Sequence, residues 1–298
     1  MARETPIRID RELLRRRPLP DSDGDKSERG TVLVVGGARQ TPGAVLLAAE
    51  TALRVGAGKV QVATAQDTAA AVGVALPEAF VEALPVLRNG ELAVAGADRV
   101  IELAGAADVV LVGPGMGDPE CADLFLAQVV PRLEGSVVLD ALGTAYLTSH
   151  PDGVRHLPGR VLLTPNVTEV AAMLGRAEED VEQDLLDAAR EVAGRTGAVV
   201  LSGSDVTYVV TRDGDSWCSD AGPTSLATAG SGDVKAGAVA GLMGRGASPD
   251  QAALWGAWIH ARAGEHLVRE RSGFVARDVV EAIPNALSRA EGDRPGPT

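Results

Sequence analysis

The residues with the most chemical content lie in one short stretch, LATAGSGDVKAG, which runs from Leu226 to Gly237. Gly230 and Gly232 can adopt backbone angles closed to other residues, so the N–H groups around them can surround an anion at a helix N-terminus. Asp233 then lies beside that anion, where a carboxylate can orient a hydroxyl for phosphoryl transfer. Because a helix N-terminus lowers the pKa of an aspartate, we expect Asp233 to orient the proton and accept it late. Taken alone, the pattern favours a glycine-rich turn with an aspartate near a helix start, and it is the surrounding loops that favour the functional interpretation.

The elements that position this loop follow from the hydrophobic pattern. Short runs of Val and Leu alternate with alanine-rich amphipathic segments, which indicates a parallel sheet covered on both faces and hence an α/β fold. Ligands of such sheets bind beyond the carboxyl ends of the strands. Several predicted strands end in loops that could share one mouth: GGARQTPG, GPGMG, LDALG, TPNVTE and LSGSD. The first of these lacks the lysine of a P-loop and the spacing of a dinucleotide fingerprint.

Length and composition favour a single domain. The chain has 298 residues, of which 45% are hydrophobic, and its strand and helix patterns continue without a long polar break. We predict a polar, loosely held N-terminal arm at residues 1–29, with one short helix near Arg11 to Arg17. The folded domain is expected at residues 30–287, followed by a disordered tail at residues 288–298.

Charge and cysteine usage exclude several classes of function. A net charge of -13 argues against nucleic acid or an anionic membrane as a partner. No apolar run approaches the roughly 20 residues of a membrane span, and the start of the chain has no apolar segment typical of a signal peptide. Cys121 and Cys218 have no metal-type spacing, which fits a reduced, cytoplasmic protein.

The loop TPNVTE permits two interpretations. Thr168 or Asn166 could cap the following helix, with Glu169 in its first turn. Alternatively, Asn166 and Glu169 could organise a hydrated magnesium ion beside nucleotide phosphates, because Mg²⁺ keeps its waters and takes few protein ligands. Elsewhere, His260 and His266 lack the spacing of a metal pair and are predicted to be structural or surface residues.

Taken in order, these loops resemble the ADP- or ATP-dependent NAD(P)H-hydrate dehydratases of the ribokinase-like superfamily. The resemblance extends from about Gly30 to Pro284. It rests on GTVLVVGGARQTPGAVLLAAETALRVGAGKVQVAT, ALPEA, GPGMG, VVLDA, LLTPNVTEVAAMLG, LATAGSGDVKAGAVAGL and GFVARDVVEAIP. It implies a three-layer αβα fold with a mainly parallel central sheet. It also implies phosphorylation of the hydroxyl of hydrated NADH or NADPH, the S epimer, followed by elimination of phosphate.

The resemblance assigns roles residue by residue. Asp233 activates the hydroxyl, and the amides of Gly230, Ser231 and Gly232 stabilise the transferred phosphoryl group. The substrate-binding positions that it implies are Ala44, Gly115 or Gly117, Asn166 and Asp233. The nucleotide-binding positions are Ser202, Gly203, Ser204, Asp205, Val206 and Gly232, and Glu169 would hold Mg²⁺ through water.

Two positions depart from the family. Asn166 stands where the dehydratases usually carry histidine, and Ser202 stands where they usually carry lysine before glycine. Lys235 replaces a residue that is more often apolar. Because it lies two helical positions after Asp233, about 200° around the axis, we do not expect it to replace the missing cation. These departures leave open a small-molecule kinase of the same superfamily and a nucleotide-binding paralogue without turnover.

The family also implies partners. ADP or ATP would be the phosphoryl donor, with Mg²⁺, and a separate epimerase would act on the other hydrate epimer. A symmetric homo-oligomer, a tetramer by resemblance, is expected.

Overall fold

The computed structural model describes residues 5–20, 29–203, 206–223, 226 and 228–292, and its ten strands form one sheet. The strands are β1 (Ile7–Arg8), β2 (Thr31–Val35), β3 (Lys59–Ala65), β4 (Phe80–Leu84), β5 (Val109–Val112), β6 (Ser136–Leu139), β7 (Val161–Leu163), β8 (Val199–Gly203), β9 (Thr207–Val210) and β10 (Ser216–Ser219). Their order across the sheet is β1-β10-β9-β8-β7-β6-β5-β2-β3-β4.

Twelve α-helices flank the sheet within the described ranges. They are α1 (Arg11–Arg16), α2 (Pro42–Arg54), α3 (Gln66–Ala75), α4 (Ala97–Ala104), α5 (Pro119–Val129), α6 (Leu142–Ser149), α7 (Val167–Leu174), α8 (Glu178–Gln183), α9 (Leu185–Thr196), α10 (Ser231–Gly244), α11 (Pro249–Glu270) and α12 (Ala276–Glu291). No helix in these ranges is long and apolar enough to cross a membrane.

The pairing of the strands brings the predicted loops to one edge. Strand β9 is antiparallel to β8 and β10, and all the other neighbouring strands pair in parallel. The parallel strands β8, β7, β6, β5 and β2 are consecutive in the sheet, so their carboxyl ends lie side by side. The five loops predicted from the sequence follow these five strands. The sequence-based expectation of a shared mouth therefore agrees with the strand order.

Alternation along the strands divides the core into two layers. Val32 and Val34 face the helices α1, α2, α3, α10, α11 and α12, whereas Leu33 and Val35 face α4 to α9. All four side chains have no exposed surface. Helices on both faces of a mainly parallel sheet confirm the predicted three-layer αβα fold.

Helix α10 is enclosed by the rest of the protein along most of its length. Every residue from Val234 to Gly244 is buried except Lys235. The enclosure is tight because a Cβ added at Gly237 would lie 2.2 Å from the Ala48 carbonyl oxygen of α2. Small residues therefore allow α10 to pack directly on the α2 backbone, and this contact fixes where α10 begins.

The two ends of the chain differ from expectation. The predicted short helix is present as α1, but residues 5–20 pack onto the domain instead of forming a loosely held arm. Leu14 is fully buried, and the Trp255 indole donates a hydrogen bond to the Arg17 carbonyl oxygen at 2.8 Å. At the other end, α12 continues to Glu291, past Ser288, where we placed the start of the tail. Apolar positions such as Leu287 and Ala290 hold this last turn against the core.

Candidate active site

The loop before α10 needs glycine at Gly230. Its φ of 88° lies in the left-handed region that favours glycine, and a Cβ added there would lie 2.7 Å from the Leu47 side chain and 3.1 Å from that of Ala276. Gly230 is the N-cap residue of α10. Close contact with α2 and α12 therefore sets the path of the chain as it enters the helix.

The N–H groups at the start of α10 are only partly free. The Ser231 N–H donates to the Thr228 carbonyl oxygen at 3.1 Å, so it is occupied in this structure. The N–H groups of Gly230, Gly232 and Asp233 have no acceptor among the described residues. Gly232 is exposed, and a Cβ there would meet nothing within 4 Å. Three donors at the positive end of a long helix thus remain available to an anion, although the Ser231 donor predicted from the sequence is not one of them.

Asp233 is partly buried and has no ion pair or hydrogen bond to another side chain in the described part of the chain. Burial raises the pKa of its carboxyl group to about 6. The sequence-based expectation of a lowered pKa is therefore wrong in direction, because loss of hydration outweighs the helix dipole. A carboxylate with a pKa near 6 is a better general base than the one we predicted, since it is still ionised at neutral pH.

A second carboxylate lies below α10. Asp140 follows β6 and accepts a hydrogen bond from the Thr164 hydroxyl at 2.6 Å, and both residues are buried. Burial raises the Asp140 pKa to about 7; the negative charges of Asp233 and Glu169 contribute, while the Thr164 hydrogen bond opposes the shift. The next residue, Ala141, has a φ of 49°, a strained value for a non-glycine residue. The strain is consistent with a chain path constrained to place Asp140 there.

Asn166 and Glu169 form a capping box at the start of α7. The Asn166 side chain accepts from the Glu169 N–H at 2.8 Å, and Glu169 Oε2 accepts from the Asn166 N–H at 3.1 Å. Glu169 also accepts from the Thr144 hydroxyl and the Asn166 side-chain amide, both at 3.1 Å. Desolvation raises the Glu169 pKa. The plain helix-cap interpretation therefore accounts for this pair, and Asn166 rather than Thr168 is the cap.

His260, on α11, contacts the first residue of α10. Its Nε2 lies 2.9 Å from the Ser231 hydroxyl oxygen, which links α11 to the first residue of α10. Burial, together with the positive charge of Lys235, lowers the His260 pKa to about 3. A neutral histidine at this place fits the predicted structural role. His266 pairs with Glu270 at 3.2 Å on the outside of the same helix.

The predicted substrate positions after β2 and β5 fall into two groups. A Cβ added at Gly115 would lie 2.9 Å from the Ala44 side chain, and the Thr41 hydroxyl donates to the Gly115 carbonyl oxygen at 2.5 Å. Gly117 instead donates its N–H to the Glu91 carboxylate at 3.2 Å. Ala44 and Gly115 therefore lie together, and Gly117 is occupied by a different contact.

The predicted nucleotide positions are only partly described. Ser204 and Asp205 lie outside the described residues. Ser202 is buried, and its hydroxyl has no partner in the described ranges. A Cβ added at Gly203 would lie 2.7 Å from the Thr207 Cα. The lack of a side chain at Gly203 therefore allows β8 and β9 to approach closely at this end of the hairpin. Val206 is a partly exposed bend residue just after this end of β8.

Sequence reasoning missed Asp140 and Lys235 as site residues. Asp140 carried a weak signal, since it ends the apolar run SVVLD with a carboxylate. Lys235 carried none beyond its unusual residue type. Together with Asp233, these residues give the start of α10 a carboxylate with a raised pKa, a second, buried carboxylate and a cation.

The fold and this site define a three-layer α/β protein in which a helix start with free backbone donors, within the described ranges, lies at the carboxyl edge of a mainly parallel sheet. The structure is similar to that of a ribokinase-like superfamily protein from Enterococcus faecalis, with a TM-score of 0.78 at 22% identity over 95% of this chain and 96% of the other. The chain belongs to the NAD(P)H-hydrate dehydratase family, whose sequence model matches residues 32–285. The resemblance inferred from the motifs is thereby confirmed.

Two further similarities are more specific. The chain is 37% identical to the ADP-dependent (S)-NAD(P)H-hydrate dehydratase of Xanthomonas campestris pv. campestris over 279 residues, which cover 93% of this chain and 94% of the relative. Its structure resembles that of the ADP/ATP-dependent NAD(P)H-hydrate dehydratase from Bacillus subtilis, co-crystallised with ATP and Mg²⁺. The TM-score is 0.77 at 25% identity, covering 97% of this chain and all of the other. Other relatives are named bifunctional NAD(P)H-hydrate repair enzymes, and the chain spans about half of their length.

Proposed function

We propose that this protein dehydrates the S epimer of NAD(P)H hydrate with ADP or ATP as phosphoryl donor, and thereby repairs damaged nicotinamide cofactors. The observation that carries the proposal is the position of Asp233 beside N–H groups at the start of a buried helix; among the described residues, neither its carboxylate has an ion pair nor these N–H groups an acceptor. Family membership and the named relatives support the same reaction.

The first step transfers the terminal phosphoryl group. The N–H groups of Gly230 and Gly232 donate to its oxygens, while the hydrate hydroxyl lies against the Asp233 carboxylate. A bond forms between the hydroxyl oxygen and phosphorus as the bond from phosphorus to the nucleotide oxygen breaks. The hydroxyl proton passes to Asp233, which is ionised at neutral pH.

The second step removes the phosphate. The carbon–oxygen bond of the phosphorylated hydrate breaks, the departing phosphate takes up the proton that leaves the neighbouring ring carbon, and the dihydronicotinamide double bond returns. Free phosphate and the shortened nucleotide are the other products. The hydrate binds beside Ala44 and Gly115, which lie together at the carboxyl ends of β2 and β5, and close to Asn166 at the end of β7.

Magnesium fits this site only through water. The described residues contain no group of three or more His, Cys, Asp or Glu side chains that could hold a metal ion. Glu169 Oε1 accepts one hydrogen bond, from Asn166, which leaves a lone pair for a metal-bound water. Glu169 would hold Mg²⁺ through a water molecule of its hydration shell, and the ion would supply neutralisation of the phosphate charge.

We also infer a partner enzyme, a cellular compartment and an oligomeric state for this protein. A separate epimerase would convert the other hydrate epimer, a role supported by the bifunctional relatives, about half of whose length this chain spans. The two free cysteines, Cys121 and Cys218, support a reducing compartment such as the cytoplasm. We also propose a homo-oligomer, tetrameric as the family resemblance implies.

The direct test is recovery of dihydronicotinamide absorbance when the purified protein meets NADH hydrate or NADPH hydrate with ADP or ATP. We expect recovery with at least one nucleotide and release of one phosphate per hydrate repaired. A small-molecule kinase would give a stable phosphorylated product without recovery. A binding paralogue would be stabilised thermally by nucleotide and would release no phosphate, and either outcome rejects the proposed dehydration.

The pH dependence of kcat/KM should report the carboxylates. Because the base acts in its ionised form and the Asp233 pKa is about 6, we expect kcat/KM to fall roughly tenfold per pH unit below about pH 6. The negative charge of Asp233 raises the pKa of Asp140, which is about 7. The fall of kcat/KM at low pH, the acidic limb of the profile, therefore reports the ionisation of both carboxylates together. His260, with a pKa of about 3, does not titrate there. In a His260→Gln variant the acidic limb should therefore keep the same midpoint pH, whatever the maximal kcat/KM of the variant. If the limb disappears in this variant, it belongs to histidine.

A further inference from the structure

The cation of the site, Lys235, has no role in the reaction scheme above. Lys235 lies in the first turns of α10, two residues after Asp233. The chain contains only two other lysines: Lys59 is exposed at the start of β3, and Lys26 lies outside the described residues. A lysine next to a phosphoryl-transfer carboxylate therefore calls for a physical explanation.

The burial pattern of α10 shows where Lys235 opens to solvent. The accessible residues of this helix are Gly232, Asp233 and Lys235, and all three lie within its first five positions. Because the rest of the helix is enclosed, the accessible part of Lys235 opens at the same end as Asp233. The negative charges that act on its ammonium group are those of Asp140, which follows β6, and Glu169, in the first turn of α7, so this group lies at the carboxyl edge of the sheet. Although the two side chains leave the helix about 200° apart, both thus reach the same edge of the sheet.

The ammonium group has no hydrogen bond or ion pair among the described residues. Asp140 and Glu169 stabilise its charge from a longer distance, while burial lowers its pKa. An unpaired cation in a partly buried place is unfavourable unless something completes its environment. Asp140 and Glu169 are each already hydrogen-bonded to neighbouring threonines, so the protein leaves this cation available to a ligand.

Lys235 also lies on a different side of the sheet from the position of the lysine that the family usually carries. Ser202 stands in place of that lysine and lies opposite Tyr208 in the register of β8 and β9. Val200, two residues earlier on the same strand, faces the layer of helices α4 to α9. Alternation therefore places the Ser202 side chain on that layer's side, opposite α10. Lys235 would approach an anion from the α10 side, so it does not restore the lost contact but supplies a new one.

We propose that Lys235 binds the phosphates of the nucleotide from the α10 side and sets the affinity of this site for nucleotides. The inference deepens the proposed function and rests on it, since the anion it binds is the phosphoryl donor. Lys235 offsets the negative charges of Asp140 and Glu169, which would otherwise repel an incoming phosphate chain. It is a specificity-determining residue, because it favours a ligand that carries phosphate over one that does not.

The test compares nucleotide and nucleoside binding by calorimetry in three variants. Lys235→Met removes the charge and keeps most of the unbranched stem, Lys235→Arg keeps the charge, and Lys59→Met is the matched control at an exposed lysine. We expect Lys235→Met to weaken ADP binding roughly 10- to 100-fold, with a weaker salt dependence, and to leave adenosine binding unchanged. Lys235→Arg should retain most of the ADP affinity, and Lys59→Met all of it.

A merely structural role predicts the opposite pattern. Lys235→Met would then melt at a lower temperature and bind ADP as tightly as the wild type, and this result overturns the inference while leaving the dehydration reaction intact. An equal loss of ADP and adenosine affinity would also overturn it, because the effect would not depend on phosphate. If the wild-type protein binds neither ADP nor ATP, the proposed function fails together with the role of Lys235.

Discussion

Asp233→Asn is expected to abolish dehydration while nucleotide binding survives. The amide keeps the size of the side chain and can still donate to a phosphate, but it cannot accept the hydroxyl proton. Loss of both orientation and proton acceptance should lower kcat by roughly 10³- to 10⁴-fold. The measurement is kcat from dihydronicotinamide recovery, together with the ADP dissociation constant from calorimetry. An Asn variant that retains most of its activity would remove Asp233 from the mechanism.

The same substitution should stabilise the free protein. Burial raises the Asp233 pKa from an ordinary value near 3.8 to about 6. The unfolded chain therefore loses this proton at lower pH than the folded one, and stability falls as pH rises through that window. Above about pH 6 the ionised carboxylate costs roughly 2–3 kcal/mol, which the neutral amide avoids. Thermal melting at neutral pH should thus show a higher Tm for Asp233→Asn, whereas Asp213→Asn, at an exposed turn, should leave both Tm and activity unchanged.

The layered fold could be predicted because its signals are local. Runs such as TVLVV and VVLV have apolar residues at every position, and only a sheet covered on both faces buries them all. The sequence did not reveal the antiparallel β9 or the edge strand β1, which is two residues long. Strand order also depends on contacts between distant segments, so the neighbours of each loop had to come from the structure.

The candidate site was predictable where backbone chemistry dominates. Glycine at the N-cap of α10 and a carboxylate three residues later form a pattern that can be recognised in the sequence. The pKa of Asp233 was predicted in the wrong direction because the dipole of α10 is a local property, whereas burial depends on every layer around it. For Lys235, an ideal helical angle gives a direction but not what encloses the helix on the other sides, so its partial burial near Asp140 and Glu169 had to come from the structure.

Close contact between α2 and α10 leads to the largest expected effect on stability. A Cβ added at Gly237 would lie 2.2 Å from the Ala48 carbonyl oxygen and 2.7 Å from its Cα, and these are backbone atoms that cannot move aside alone. Gly237→Ala must therefore push the two helices apart, at a cost of about 2–3 kcal/mol in the free energy of unfolding. Because α10 carries Asp233, turnover should fall as well.

Gly194→Ala is the matched control, since the same substitution there should increase the free energy of unfolding instead of lowering it. Gly194 lies in the last turns of α9, is exposed, and a Cβ there would meet nothing within 4 Å. Alanine should stabilise that helix by about 0.5–1 kcal/mol because it restricts the unfolded chain. Urea unfolding of both variants measures the pair. Loss of soluble Gly237→Ala protein agrees with the clash, whereas equal stabilisation by both substitutions would mean that α2 and α10 are not in backbone contact.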